Sequence, residues 1–254
     1  MSLIINADDF GLSESVNKTI LLLHKQGVVT STSLIANGDK FGEAVKISQE
    51  NPRLGIGVHL CLDGPFNIGK DYTTILDNTG QFFHKQKVIK NLKRFSFDVS
   101  EIYKEYCLQI EKILDHKIRI SHLDHHHHLH LYFPALRMMI KAAKRYKIRY
   151  IRSQRIFLHS NKNRLNYLYR NIHQIYLKSH IKVINGYYEP AIKVSPDNKN
   201  DYDRLLELMN YKNKIIEIML HPVDKNDPET IFFTSEKVST LLKQSRILNY
   251  NDLN

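Results

Sequence analysis

Ten consecutive residues, Ser121-His122-Leu123-Asp124-His125-His126-His127-His128-Leu129-His130, hold six imidazoles and one carboxylate. Those groups ligate divalent metals and carry protons near neutral pH. A histidine run can be metal-sequestering composition or a purification tag. This one lies mid-chain, after the strand-like Lys117-Ile118-Arg119-Ile120 and before a helical segment opening at Pro134, where a folded domain buries or uses it. Other groups of the same kind are spaced along the chain: Asp8-Asp9, His59, Arg152 and His221. Two imidazoles and one carboxylate from separate elements make a three-ligand metal site with positions left for water and substrate. Asp9, His59 and one histidine of the tract are the candidate ligands, and Asp8 is a candidate general base. Taken alone, Asp8-Asp9 would be turn or capping residues, and His59 a hydrogen-bonded core histidine. Together they point to a site.

The elements that must position these groups alternate. Residues 3–5 read as a buried strand, and the loop after it passes Gly11, where a glycine supplies an unusual backbone angle. Ser13 then caps a helix whose stripe is Val16, Ile20, Leu21 and Leu23, ending before Gly27. A second strand over 28–36 and a helix over 41–49 follow, and residues 54–60 form a third strand ending in His59-Leu60. Residues 63–97 lose periodicity, as lids and binding loops of that length often do. Asp98 and Ser100 can cap a helix through about residue 116. Beyond the tract the pattern predicts a helix over 134–146, a short strand over 148–151 ending at Arg152, and a basic helix over 162–179. It continues with a strand over 181–184 before Asn185-Gly186 and a helix over 201–211. A strand over 214–220 runs into His221-Pro222, followed by a last helix over 235–244 and a strand at 247–248. About seven or eight strands alternating with helices predict a parallel sheet, a distorted (β/α) TIM-like barrel first and an open doubly wound sheet second. In either, Asp8-Asp9, His59, the tract, Arg152 and His221 fall at the C-terminal strand ends, the face where active sites form.

With 254 residues, 42% hydrophobic and 25% charged, the chain suits one large soluble domain over 1–254. No run approaches the roughly 20 apolar residues that span a bilayer, and residues 1–6 show no secretory pattern, so a cytoplasmic protein without membrane attachment is expected. Two cysteines without CxxC spacing, Cys61 and Cys107, read as free thiols. The net charge of +11 permits an acidic partner, but the cations are spread at helical spacing as on solvated faces. Nucleic acid is therefore not the expected partner. A homodimer is expected, though no residue marks its interface.

The residues carry a family resemblance. Asn6-Ala7-Asp8-Asp9-Phe10-Gly11-Leu12-Ser13, Thr30-Ser31-Thr32-Ser33, Asn37-Gly38, Gly55-Ile56-Gly57-Val58-His59-Leu60, His122-Leu123-Asp124, His126-His127-His128 with His130, and Leu220-His221-Pro222 resemble, in order, the YdjC-like carbohydrate deacetylases, which include chitooligosaccharide deacetylases. The resemblance implies a distorted barrel, one divalent metal ion usually assigned as magnesium, and removal of N-acetyl groups from amino sugars or oligosaccharides. By position it implies Asp9, His59 and His126 as metal ligands, Asp8 as base and His221 as general acid. His125 stands where the family has a small residue, so the register also admits His125 or His127 as the ligand. Cys61 and Val223 replace the family's frequent Asn and Gly.

In the expected reaction Asp8 takes the proton of a metal-activated water and His221 protonates the departing amine. Arg152 would pair its charge with Asp8, and Asp124 would hydrogen-bond a ligand imidazole. Ligand softness alone favours zinc or another transition metal over magnesium. A metal-dependent phosphoesterase or nuclease could use the same ligands, and a non-enzymatic metal- or nucleic-acid-binding protein would use the tract as a sink.

Overall fold

A computed structural model describes residues 1–157, 164–191 and 200–253. In chain order the first half contains β1 (Ser2–Phe10), α1 (Glu14–Lys25), β2 (Ser31–Leu34), α2 (Phe41–Glu50), β3 (Gly55–Leu60), α3 (Lys85–Arg94), α4 (Val99–Asp115) and β4 (Ile120–His125). A 3-10 turn (His126–Leu131) leads into α5 (Phe133–Arg145), α6 (Arg164–His180), β5 (Gly186–Tyr188), α7 (Asn200–Met209) and β6 (Ile215–Leu220). The chain ends with α8 (Pro228–Thr234), α9 (Glu236–Leu242), β7 (Arg246–Leu248) and a 3-10 turn at Tyr250–Asp252. Local signals explain many of the boundaries. Ser13 accepts from the Val16 amide at 3.2 Å and Asp98 from the Ser100 amide at 2.8 Å, so both capping residues read from the sequence start their helices.

The strands pair in parallel in the order β4-β3-β2-β1-β6-β5, with β7 beside the start of β1. Short bridges then join the edges: Leu123 of β4 pairs with Ile151, and Ile156 pairs with Tyr187 of β5. The segment 150–157 thus spans from one edge strand to the other. The sheet curls into a distorted TIM-like barrel and is not an open doubly wound sheet.

Alternation along the strands sorts side chains to two sides. On β1, Leu3, Ile5 and Ala7 join the main apolar core, whereas Ile4 packs in a small second cluster with Tyr150, Ile184, Leu248, Tyr250 and Leu253. That cluster lies at the start of β1, and the intervening positions above Ile4, Asn6 and Asp8, carry polar side chains that are buried. Ser31 and Ser33, His59, His122 and Asp124, and Glu217 are likewise buried polar members of the strands β2, β3, β4 and β6. Gly57 makes room among them: a Cβ there would meet the His122 ring at 2.4 Å.

Several boundaries differ from the sequence reading. β1 runs on through Asp8 and Asp9 to Phe10, with a register shift against β2 between Ala7 and Phe10. The expected strands over 148–151 and 181–184 are reduced to the isolated bridges Leu123–Ile151 and Tyr150–Lys182. β5 occupies the expected turn at Gly186, and α8 precedes the expected last helix. The expected helix start at Lys162 lies outside the described residues. Within 63–97, α3 is helical, and the irregular part is fastened to α4. Glu105 accepts from the Ile68 and Gly69 amides at 2.8 and 2.9 Å, and Glu101 from the Thr73 and Thr74 amides at 2.7 and 2.9 Å.

Candidate active site

Asp9 adopts φ 65, inside the strand bulge and in the left-handed region that side chains rarely enter. This turn lets neighbouring carboxylates serve different partners. Asp8 meets Arg152, while Asp9 Oδ1 lies 3.4 Å from His59 Nε2 and 3.2 Å from His126 Nδ1. Ligand atoms of Asp9, His59 and His126 all fall within 4.8 Å of one another. Asp9 Oδ1 is buried and has no aligned hydrogen bond among the described residues. Although burial opposes it, contact with His126 and His59 holds the Asp9 carboxyl well below the usual carboxylate range.

His59 ends an apolar strand and is oriented from behind. Its Nδ1 donates to Asp124 Oδ1 at 2.8 Å, which fixes the tautomer and turns Nε2 toward Asp9. Asp124 in turn accepts from Ser33 Oγ at 2.6 Å and lies 2.6 Å from Arg152 Nη2. Burial pulls the His59 imidazole down, but Asp124 and Asp8 outweigh it and hold the pKa well above the usual value. On the solvent side Phe66, from the segment after β3, packs edge-on against His126 with ring centroids 5.7 Å apart.

Arg152 is fully buried and organises the layer beneath. It donates to both Asp8 oxygens at 2.6 and 2.7 Å, a bidentate fork, and its Nε donates to Glu217 Oε1 at 2.8 Å. Asp8 Oδ1 also accepts from Asn6 Nδ2 at 2.8 Å. Its Oδ2 faces His221 Nε2 at 3.8 Å. Tyr250 donates to Glu217 Oε2 at 2.5 Å and stacks on His122 at 3.9 Å, tying the C-terminal turn into the network.

Three carboxylates, Asp8, Asp124 and Glu217, thus face one guanidinium, with Asp9 next in sequence to Asp8 and turned to the imidazoles. The donor set and this excess of negative charge fit a dication at Asp9, His59 and His126, as does the unaligned Asp9 oxygen. All six residues singled out from the sequence, Asp8, Asp9, His59, His126, Arg152 and His221, lie in this one cluster. The other tract histidines do not join the Asp9 group. His125 Nδ1 donates to its neighbour's carbonyl at 2.8 Å and its Nε2 accepts from Tyr106 Oη at 2.8 Å, with burial pushing the ring down to about 3. His127 turns to Asp63, and His130 is buried behind the turn. Asn6 and Ser33 stand in the motifs read from the sequence but were given no role there, and Glu217 and Tyr250 were missed, although Glu217, an acid inside the apolar strand Ile215–Leu220, carried a readable signal.

A model of the YdjC-like protein family matches residues 2–250. The chain belongs to the YdjC-like family. Among relatives of this YdjC-like chain are proteins named carbohydrate deacetylase: one from Clostridium beijerinckii, 36% identical over 148 residues, covering 58% of each chain, and one from Listeria monocytogenes, 42% identical over 127 residues, covering 50% of this chain and 51% of that one. The chain thus spans between about half and three-fifths of the length of the curated relatives it matches. A solved structure described as a cellobiose-phosphate cleavage protein, from Enterococcus faecalis, superposes with TM-score 0.77 over 99% of this chain and 98% of that one, at 24% identity. A lactam utilization protein from Thermus thermophilus gives TM-score 0.55 at 15% identity, covering 98% and 99% of the two chains. These two likenesses establish the fold.

Proposed function

We propose that this YdjC-like chain is a single-domain, metal-dependent carbohydrate deacetylase over residues 1–254, hydrolysing N-acetyl groups of amino sugars or oligosaccharides. The observation that carries the reading is the Asp8–Arg152 fork set immediately beside Asp9, His59 and His126. The relatives named carbohydrate deacetylase support the same chemistry.

A divalent cation held by Asp9, His59 and His126 would supply a water of lowered pKa and Lewis-acid polarisation of the acetyl carbonyl. The family resemblance favours magnesium in that position, whereas two imidazole donors favour zinc. Asp8 acts as general base through Oδ2, because Oδ1 already accepts from both Asn6 and Arg152. Arg152, enclosed beneath, positions that carboxylate and does not reach substrate. His221, partly exposed at the end of β6, donates the proton the sugar amine needs in order to leave.

Sugar rings favour aromatic faces, and a groove of about 610 Å³ lined by Phe95, Tyr132, Phe133, Tyr169 and Arg170 opens where the tract's 3-10 turn ends at Leu131. Two free, buried cysteines suit a reducing cytoplasm, and among the described residues no helix is long and apolar enough to cross a membrane. Leu168, Ile172 and Ile175, exposed at helical spacing on α6, support a protein contact such as a homodimer. The deciding experiment supplies metal-loaded protein with N-acetylated chitooligosaccharides and, separately, model phosphate esters. Acetate and free amine should appear in equal amounts and stop on chelation; phosphate release without acetate would overturn the reading in favour of a phosphoesterase.

A further inference from the structure

A second carboxylate faces two imidazoles near the same turn, and the proposed hydrolysis does not use it. Asp63 follows β3, is 2% exposed, and places Oδ2 2.5 Å from His127 Nδ1. Its other oxygen, Oδ1, is buried without a hydrogen-bond partner among the described residues. Leaving a buried carboxylate oxygen unsatisfied is destabilising, so such an oxygen calls for a partner. Ligand atoms of Asp63, His126 and His127 lie within 4.8 Å of one another, the same span that encloses Asp9, His59 and His126.

The backbone is committed to this arrangement. His127 and His128 have φ values of 52 and 55, two successive left-handed residues with full side chains. Such a conformation is strained for a residue with a full side chain and persists where its surroundings enforce it. The turn they make allows adjacent imidazoles to serve different carboxylates, His126 meeting Asp9 and His127 meeting Asp63, with the two rings 3.9 Å apart. Both carboxylates show one signature: an Oδ1 that is buried and unsatisfied, in a side chain contacting imidazole nitrogen.

We propose that Asp63 and His127, with His126 shared, form a second divalent-cation site beside Asp9, His59 and His126, suited to zinc or another borderline transition metal. One carboxylate and two imidazoles favour such a metal over magnesium or calcium. The His127 side chain is 38% exposed, which gives an ion a route from solvent. A neutral imidazole has one lone pair to offer, so sharing His126 requires its N–H proton to leave to solvent and the ring to bridge as an imidazolate with one ion on each nitrogen, and the second ion therefore binds more weakly.

The test is a titration of metal-stripped full-length protein with Zn²⁺ by calorimetry and native mass spectrometry, repeated with Co²⁺ by visible absorption. Wild type should take up two equivalents, the second at least about tenfold weaker than the first. His127→Ala and Asp63→Asn should each abolish the second equivalent, leaving the first within about threefold, because neither residue belongs to the Asp9, His59 and His126 group. A single equivalent in wild type would overturn the proposal. So would a second equivalent that persists in both variants, because the ion would then sit elsewhere among the 14 histidines. His127 is exposed and Asn keeps the shape of Asp63, so the two variants test the site by separate routes. No step reads acetate release, so failure of the deacetylase reading and failure of this site give different results.

Discussion

Two layers of the barrel interior meet at Asp8 and Asp9 and treat their polar groups in opposite ways. Beneath, Arg152 binds Asp8 in a fork, lies 2.6 Å from Asp124 and Glu217, and is fully enclosed. Above, Asp9 Oδ1 is buried beside two imidazole nitrogens with no aligned hydrogen bond among the described residues. The lower layer is closed by its own donors; the upper layer holds atoms that could ligate a metal ion. On the proposed reading, the difference separates the orientation of a proton acceptor from the binding of a cation, although the residues involved are neighbours in sequence.

The comparison can be broken from either side. The largest effect is expected from His59→Ala in the upper layer, which should lower metal affinity by more than about 100-fold and abolish acetate release with it. Elemental analysis of dialysed protein reads the first, and undiminished metal content would place the cation elsewhere. In the lower layer, Arg152→Met removes the guanidinium that faces the buried carboxylates and should destabilise the fold by about 3–5 kcal/mol, measured as a shift in urea midpoint. A change under about 1 kcal/mol would mean that the carboxylates carry no uncompensated charge.

Asp124→Asn sharpens the boundary, because Asp124 belongs to both layers through Arg152 and His59. It should weaken metal binding by about 10–100-fold while leaving a bound ion measurable. Far from both layers, Glu101 anchors Thr73 and Thr74; burial would raise its carboxyl, but those hydrogen bonds outweigh it and lower the pKa to about 2. A depressed folded pKa contributes stability that is present above the unfolded value near 4.5 and lost as pH falls toward 2. Glu101→Gln should therefore cost no more than about 2 °C in Tm near neutrality, and the difference should vanish by about pH 2. A difference that persists at that pH would assign the effect to packing.

The upper layer was legible in the sequence because its members stand at the ends of strands with strong alternation: Asp9 after Leu3-Ile4-Ile5, His59 after Ile56 and Val58, and His126 after β4. The starts of α1 and α4 were legible for a similar reason, each opening on a side-chain cap. The lower layer was legible in part: the pairing of Arg152 with Asp8 and the bond from a ligand-candidate imidazole to Asp124 were expected and are present, whereas Tyr250 reaches Glu217 across 33 residues with no local pattern to announce it. Which of His125, His126 and His127 would face Asp9 was also unreadable from spacing, because it depends on two left-handed residues that no glycine marks. Strand β5 has three residues, too few for a period to show.

The central claim is that cation binding and proton transfer are divided between Asp9 and Asp8. Asp8→Asn tests it directly when bound metal and acetate release are measured on the same sample. The division predicts a full equivalent of metal with turnover reduced by about 10²-fold or more. Loss of the metal along with turnover, or turnover close to that of the wild type, would contradict it.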